Sequence, residues 1–347
     1  MANLNLLDWA KRTDPDGTAP IIANLLSQTN SILQDATYVQ GNLPTGHRVT
    51  ISTGLPTVYY RALNEGIPTS KATTAQVDES CSILEARSEV DIDLAMLNGN
   101  TAEFRMGEAR MFIEAMNQKM AEGLFYGNPA TDPKEFLGLN ARYSSLTGAG
   151  NSQNVLGAGG DNADTQTSVW LICWSDQTVF CPFPKGSKAG LLQEDLGRQT
   201  SFDVVGGASG TRMEVMAERF QWKSGLVVKD WRYAVRIANI GTAAGDTNDI
   251  SGLDGTMSPT AATFTDILHQ MAKAIARIPN TSMGRTVFYM NRTVFTGLMR
   301  TALEKSTSAL SIQDAVTQFG TNQSMLSFLG IPIRQVDGIL NTEAIVT

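Results

Sequence analysis

Two histidines are the residues of this chain best suited by type to acid-base or metal chemistry. His47 and His269 are its only histidines, and they stand far apart in the sequence. Neither has a partner at the spacing that metal ligands use. The sequence therefore predicts no histidine-based catalysis and no metal site.

Three cysteines are the candidate nucleophiles. Cys81, Cys173 and Cys181 are odd in number, and no CxxC pair occurs. Cys173 and Cys181 lie in an apolar stretch, where a small core residue is the ordinary interpretation. A disulfide framework is not expected, and the pattern is typical of a protein made in a reducing cytoplasm.

Other candidate motifs are better explained as structural features. Asp91 and Asp93 could hold a metal, but their alternation with apolar residues favours one charged face of a strand. The glycine-rich stretch 157–160 lacks the GK[ST] continuation of a phosphate loop. Trp222 and Trp231 lack the surrounding basic residues of a nucleic-acid site. We predict no catalytic, cofactor-binding or metal-binding residues, although a carboxylate-only enzyme stays open.

Composition limits the partners of the chain. Its 347 residues are 42% hydrophobic and 18% charged, which supports a packed core. The formal net charge of −7 argues against nucleic-acid binding, because contact with the phosphate backbone needs clustered lysine and arginine. No apolar run of about 18 residues occurs, so no membrane partner is expected.

Two N-terminal segments carry apolar residues without an evident partner of their own. Residues 1–40 form a predicted arm, in which the turn-forming run TDPDGTAP separates two apolar groups. Residues 41–94 form a predicted two-stranded excursion that ends in a loose polar tip. The residues expected to contact a neighbouring subunit are Leu4, Leu6, Leu7 and Trp9 in the arm, and Tyr59, Tyr60, Arg61 and Lys71 in the excursion.

The return strand of this excursion has a strict two-residue alternation. Its apolar face is Leu84, Ala86, Ser88, Val90, Ile92 and Leu94. Its charged face is Glu85, Arg87, Glu89, Asp91 and Asp93, which we add to the expected inter-subunit contacts. This pattern indicates a strand that lies flat on a partner surface, since an isolated hairpin is marginal in water.

The rest of the chain predicts one long helix followed by a mixed α/β region. The long helix covers about 101–126, with the stripe Ala109, Phe112, Ile113, Met116, Met120 and Leu124. Predicted hairpins cover 169–183 and 213–240, with a loop at 185–197. Predicted helices cover 260–278, Asn291 to about 303, and about 311–320, with strands at 286–290 and 328–336.

Several long stretches carry a resemblance to a known family. They are MANLNLLDWAKRTDPDG, GNLPTGHRVTISTGLPTVYYRALNEGIP, TTAQVDESCSILEARSEVD, FYGNPATDPKEFLGL, GLVVKDWRYAVRIANI, GRTVFYMNRTV and FLGIPIRQVDGILNTEA. The sequence is similar to the major capsid proteins of certain short-tailed double-stranded-DNA phages. The order of elements also resembles the Hong Kong 97-type capsid fold.

The resemblance implies an α+β fold with four parts. These are an N-arm (1–40), an E-loop hairpin (41–82), a peripheral domain (83–150 and 210–242, with a spine helix at about 101–126) and an axial domain (151–209 and 243–347). In that family the N-arm and E-loop reach over adjacent subunits. A permuted strand order is expected, because the strand-rich block precedes the helical block here.

The resemblance also implies the partners. The chain would assemble with itself into hexamers and pentamers of an icosahedral shell in the virion, built in the host cytoplasm. That shell would enclose double-stranded DNA without sequence-specific binding and carry a portal at one vertex. A separate scaffolding protein and a cement or decoration protein are expected, and no cofactor. Some members cross-link lysine to asparagine, and Lys71 with Asn341 is the pair to consider, with a solvated charge as the alternative for Lys71.

Two other functions stay open from the sequence. The chain could be another phage structural protein, such as a tail or decoration subunit, although the long helix weighs against a mostly-β tail protein. It could also be a soluble hydrolase, which would require a concentrated site of perturbed carboxylates.

Overall fold

The computed structural model is a mixed α+β structure that describes residues 27–96, 101–202, 212–242, 261–303, 310–316 and 322–347. Its helices are α1 (Ile32–Asp35), α2 (Ile92–Met96), α3 (Thr101–Tyr126), α4 (Leu139–Arg142), α5 (Ala261–Arg277) and α6 (Arg292–Leu303). Its strands are β1 (Tyr38–Gln40), β2 (Gly46–Gly54), β3 (Thr73–Asp91), β4 (Val155–Gly157), β5 (Gln166–Trp174), β6 (Val179–Phe183), β7 (Leu191–Phe202), β8 (Arg212–Gly225), β9 (Val227–Val228), β10 (Ala234–Gly241), β11 (Arg285–Met290), β12 (Leu310–Val316), β13 (Asn322–Phe328) and β14 (Ile331–Gln335).

Most of the core lies on a ten-stranded mixed sheet. Its main path runs β1-β6-β5-β11-β14-β13-β12, with β10 beside β5, β4 beside β10 and β9 beside β6. Every residue of β5 is buried, and its continuous apolar run 169–174 is typical of a strand covered on both faces. The long helix α3 packs onto this sheet through Phe125, whose ring centroid lies 6.1 Å from that of Trp170.

A second sheet carries a projecting ribbon. Its order is β2-β3-β8-β7, and β3 is shared between two partners. The first part of β3, from Thr73 to Ser80, pairs with β2, and the second part, from Cys81 to Asp91, pairs with β8. Strands β2 and Thr73–Ser80 therefore extend beyond β8 as a two-stranded unit, here called the ribbon, and residues 55–72 form the ribbon tip.

The long helix has the predicted bounds. α3 spans Thr101–Tyr126, and Ala109, Met116, Met120 and Leu124 of the predicted stripe are buried. It ends where Gly127 N–H donates to the Gly123 carbonyl at 3.0 Å. The later helices α5 and α6 and the strand β11 between them also fall where the sequence places them.

The cap of helix α6 is confirmed as well. The Asn291 side chain accepts a hydrogen bond from the Val294 amide at 2.9 Å, which satisfies one of the free donors of the first turn. The Asn291 amide group also donates to Thr167 on β5 at 2.9 Å, so the same side chain fixes the helix to the sheet.

The predicted hairpin over 213–240 is wrong. β8 pairs with β7 and β3 in the four-stranded sheet, whereas β10 pairs with β5 and β4 in the ten-stranded sheet. The burial patterns give the reason. β8 alternates between buried and more exposed residues, as a strand with one covered face does, while all of β10 is buried.

Three other local predictions are also corrected. The predicted loop 185–197 contains the start of β7, which forms the true hairpin with β8. The segment 169–183 is buried as predicted, but β5 and β6 meet only at a parallel bridge between Trp174 and Val179. The predicted helix at about 311–320 overlaps β12, which pairs with β13 because its sequence LSIQDAV alternates along an antiparallel strand.

The strand pairings cross the predicted domain boundaries. Residues 191–202 pair with 212–225, although the sequence prediction put them in different domains. Residues 234–241 belong to the ten-stranded sheet with 166–174, although the sequence prediction puts them in the peripheral domain with the long helix. The strands β5 to β10 precede the helices α5 and α6, in the order that the sequence predicts, and the permutation relative to the family fold stays a prediction.

The predicted N-terminal arm ends earlier than residue 40. Ile32 and Leu33 of α1 are buried in the main core, and β1 pairs with β6 in the ten-stranded sheet. The remaining arm residues named above, Leu4, Leu6, Leu7 and Trp9, lie outside the described residues.

Candidate assembly surfaces

An apolar cluster fixes one side of the ribbon base to the large sheet. Val49 of β2 packs with Phe180 and Val227, and all three are buried. The His47 ring meets Phe180 edge-on, with centroids 5.2 Å apart. Burial and the nearby Lys229 ammonium lower the pKa of His47, so the neutral imidazole is favoured at this base.

A buried ion pair fixes the other side of the ribbon base. Glu79 of β3 accepts two hydrogen bonds from Arg142, each 2.7 Å long, and the two side chains are only 10% and 9% exposed. Arg142 also donates to the carbonyls of Leu137 and Leu226. The pair therefore joins the ribbon to the segment after α3 and to the start of β9, in the bidentate geometry that gives strong directionality.

The ribbon tip exposes large apolar side chains. Residues 55–72 form no helix or strand, and nearly every one of them is exposed. Leu55, Val58, Tyr60 and Leu63 each keep at least 87% of their surface accessible. An apolar group of this size on a projecting segment marks a surface that contacts another molecule.

The four residues of the tip that are predicted to contact a neighbouring subunit are all exposed, and that contact stays a prediction. Tyr59 is 50% exposed, and Lys71 is exposed near the start of β3. Arg61 is also exposed, and its guanidinium makes a local hydrogen bond to the Ala62 carbonyl. Asn341, the other member of the cross-link pair, lies near Asn291 and Thr293 at α6.

The apolar face of β3 is covered by its own chain, which corrects the predicted partner surface. Leu84 and Ala86 pack against the main core, and Val90 forms a cluster with Phe104 at the start of α3. The strand also ends earlier than predicted. Asp91 accepts from the amide of Asp93 at 2.8 Å and begins helix α2, so Asp93 is not on the strand.

The charged face of β3 lies on the outer face of the four-stranded sheet. Arg87 pairs with Glu89 at 2.7 Å, and Glu85 accepts from Gln221 on β8 at 2.7 Å. Ser201 on β7 also donates to Glu89 at 2.5 Å. Arg87 and Glu89 thus pair along one strand, while Glu85 and Glu89 also accept from residues of other strands, and the role of all three between subunits stays a prediction.

A buried charge cluster holds the C-terminal segment, and sequence reasoning missed it. Glu343 accepts from Arg236 on β10 at 2.8 Å, and the two side chains are 2% and 1% exposed. Ser168 and Tyr126 also donate to the same carboxylate. Burial and the Glu343 carboxylate raise the pKa of Tyr126, so its hydroxyl keeps its proton and remains a donor.

The same segment is fixed at two further points. Asn239 donates to the Val346 carbonyl and accepts from the Val346 amide, both at 2.8 Å. Leu146 N–H donates to the Thr347 carbonyl at 3.0 Å. The one signal that could have indicated this cluster is Arg236, a charged residue inside the apolar run AVRIANI, which requires a buried partner.

A second buried carboxylate ties the N-terminal segment to the sheet. Asp35 of α1 accepts from the Tyr289 hydroxyl at 2.9 Å and pairs with Arg285 at 2.9 Å and Arg334 at 3.1 Å. Trp174 donates to the same Tyr289 hydroxyl. These residues come from four distant segments, so no local pattern could have grouped them.

The described ranges contain no group of three or more histidine, cysteine or carboxylate side chains placed to hold a metal ion. Burial raises the pKa of the Cys181 and Cys81 thiols, which disfavours the nucleophilic thiolate. A surface depression of about 580 Å³ beside Trp231 and Arg277 has neither histidine, cysteine nor carboxylate in its lining. None of the helices within those ranges is long and apolar enough to cross a membrane.

Comparison with known proteins identifies relatives. A family model described as major capsid protein GP7 matches residues 14–347. A chain from the structure of bacteriophage epsilon15 is 29% identical, covers 99% of this chain and 97% of its own length, and superposes with a TM-score of 0.71. A chain from the bacteriophage JBD30 capsid is 10% identical, with coverages of 91% and 93% and a TM-score of 0.44. A search of curated proteins found no match.

Proposed function

This chain belongs to the GP7 family of major capsid proteins and forms an icosahedral phage shell, and we propose that its ribbon tip is a principal contact between neighbouring subunits. The predicted phage-capsid identity and Hong Kong 97-like fold are thereby confirmed. No observation on the described residues favours a tail subunit, a decoration subunit or a hydrolase.

The exposure of the ribbon tip carries the proposal. Leu55, Val58, Tyr60 and Leu63 have almost no contact within the subunit, yet the base of the same ribbon is fixed by Val49 and by the Glu79–Arg142 pair. A fixed base with an apolar end suits a segment that finds its buried environment on an adjacent copy.

The remaining parts follow from the family resemblance. The predicted N-terminal arm contacts neighbouring subunits, the four-stranded sheet together with α3 forms the peripheral domain, and the ten-stranded sheet forms the axial domain. Subunits occupy both hexamers and pentamers, assembled in the host cytoplasm around a separate scaffolding protein, with a portal at one vertex and a cement protein outside. The acidic net charge supports a shell that encloses double-stranded DNA without binding its sequence.

Electron microscopy of the chain with Tyr60→Ser and Leu63→Ser tests the ribbon tip. We expect each substitution to raise the protein concentration needed for shell formation about tenfold, because burial of one large apolar side chain contributes roughly 1.5–3 kcal/mol. The parent chain, expressed alone and with its scaffolding protein, should give closed shells, tubes or hexameric rings.

Two controls make this test specific. Tyr60→Phe keeps the ring and should assemble like the parent. The thermal unfolding of the double variant should match that of the parent subunit, since neither side chain is buried in it. Normal assembly of the Tyr60→Ser, Leu63→Ser chain would rule out the proposed role of the tip.

A further inference from the structure

The turn between β13 and β14 has an unusual residue at its first central position. Phe328 pairs with Ile331 across the hairpin, which leaves Leu329 and Gly330 as a two-residue turn. Their φ angles are 49° and 81°, and two positive angles define the type I′ turn that suits the twist of paired strands. Asparagine followed by glycine is the favoured pair there, because leucine is strained at positive φ.

Leu329 is the exception among residues with this backbone conformation. The described part of the chain has four non-glycine residues with positive φ, and the other three are Asn64, Asp164 and Asn239. Those residue types tolerate the left-handed region, whereas leucine does not. The chain therefore carries an apolar side chain where the local backbone favours a polar one.

The subunit itself gains little from this side chain. Leu329 is 60% exposed, while its neighbours Phe328 and Ile331 are buried. Strands β11 and β14 are parallel neighbours, so the segments that lead into them lie at the same end of the sheet. Met283 lies in the segment before β11 and is 47% exposed, so an exposed large apolar side chain precedes each of these two strands.

We propose that Leu329, together with Met283 at the same end of the sheet, is an inter-subunit contact that buries against a second copy of this chain. A residue that strains its own turn and remains exposed contributes to stability only when something outside the subunit covers it. In a closed shell, identical copies cover the sides of each subunit, and this makes another copy the expected partner. The inference rests on the chain being a shell subunit and is independent of the role proposed for the ribbon tip.

Two substitutions in the turn distinguish the effect of the turn on subunit stability from the contact made by the Leu329 side chain. Leu329→Asn creates the favoured Asn-Gly pair and should raise the melting temperature of the unassembled subunit by about 1–2 °C. It should also raise the protein concentration needed for shell formation about tenfold, because one leucine burial is lost per subunit. Gly330→Ala keeps the leucine and has open space for its Cβ, but it should lower the melting temperature because alanine is strained at this φ. It should assemble at the parent's concentration.

The outcomes decide between the partners. If Leu329→Asn assembles at the parent's concentration both with and without the scaffolding protein, the proposed contact does not exist. If it loses only scaffold-dependent assembly, the side chain contacts the scaffold and the second-copy proposal fails. An unchanged or lower melting temperature would show that the turn is not strained by leucine, and the premise would fail. The ribbon-tip variants, measured in the same assay, report on the other proposal separately.

Discussion

Replacing Glu343 with alanine is expected to lower the free energy of unfolding by about 3–5 kcal/mol. The substitution removes the carboxylate that accepts from Arg236 at 2.8 Å and also from Tyr126 and Ser168. Because the Arg236 side chain is only 1% exposed, water cannot replace the lost partner, and a buried charge stays unpaired. The loss is measured as a lower urea midpoint of the unassembled subunit at unchanged slope.

Two comparison variants test whether the buried charge is the cause. Glu122→Ala removes one of the two carboxylates that pair with Lys119, in an ion pair whose side chains are about half exposed, and it should cost less than about 1 kcal/mol. The double variant Arg236→Met, Glu343→Leu replaces both charges with apolar groups and should recover most of the loss. A cost below about 1 kcal/mol for Glu343→Ala would contradict the burial of this pair.

Sequence patterns could not have paired these two residues. Arg236 and Glu343 are 107 positions apart, and only the packing of the C-terminal segment against β10 brings them together. The same holds for Asp35, whose partner Tyr289 lies 254 positions away. Buried polar partners are chosen by tertiary contact, and a single sequence contains no signal for such contacts beyond the anomaly of a charge in an apolar run.

Elements with a strong internal period were predicted well. The apolar stripe of α3 gave its bounds, and Asn291 gave the start of α6, because both signals are local. Strand partners were predicted poorly, since β8 and β10 follow each other closely but lie in different sheets. A two-residue period of apolar residues identifies a strand but not the strand with which it pairs. Strand β7 was not predicted, because its polar sequence resembles that of a loop.

The ribbon shows which features of the candidate site can be predicted from local sequence patterns and which cannot. The alternation of β3 and a tip on the excursion are both predicted from the sequence, but the predicted tip is polar, whereas Leu55, Tyr60 and Leu63 are exposed there. The apolar face of β3 was assigned to another subunit, yet it packs against the main core and, near α2, against Phe104 of α3 in the same chain. The tip keeps Leu55, Val58, Tyr60 and Leu63 at least 87% exposed, so we propose that the inter-subunit contact of the excursion centres on residues 55–72.

The ribbon base gives the second large expected effect. Glu79→Ala should lower the local stability of the ribbon by about 3 kcal/mol, because it leaves Arg142 nearly buried without its carboxylate. Hydrogen exchange should then quicken at the amides of β2 and of Thr73–Ser80, whose strand pairing depends on this fixed base. Amides of β5 should keep the parent's exchange rates, since β5 belongs to the main core.

The adjacent residue supplies a matched control for this prediction. Asp78 pairs with Arg48 on the same ribbon, but these side chains are 54% and 47% exposed. Asp78→Ala therefore removes an ion pair of the same type, one position away, that water can replace, and should change exchange little. Equal effects of the two substitutions would mean that burial of the Glu79–Arg142 pair does not fix the ribbon. A large effect of Glu79→Ala alone would show that this buried pair stabilises the ribbon from which the exposed tip projects.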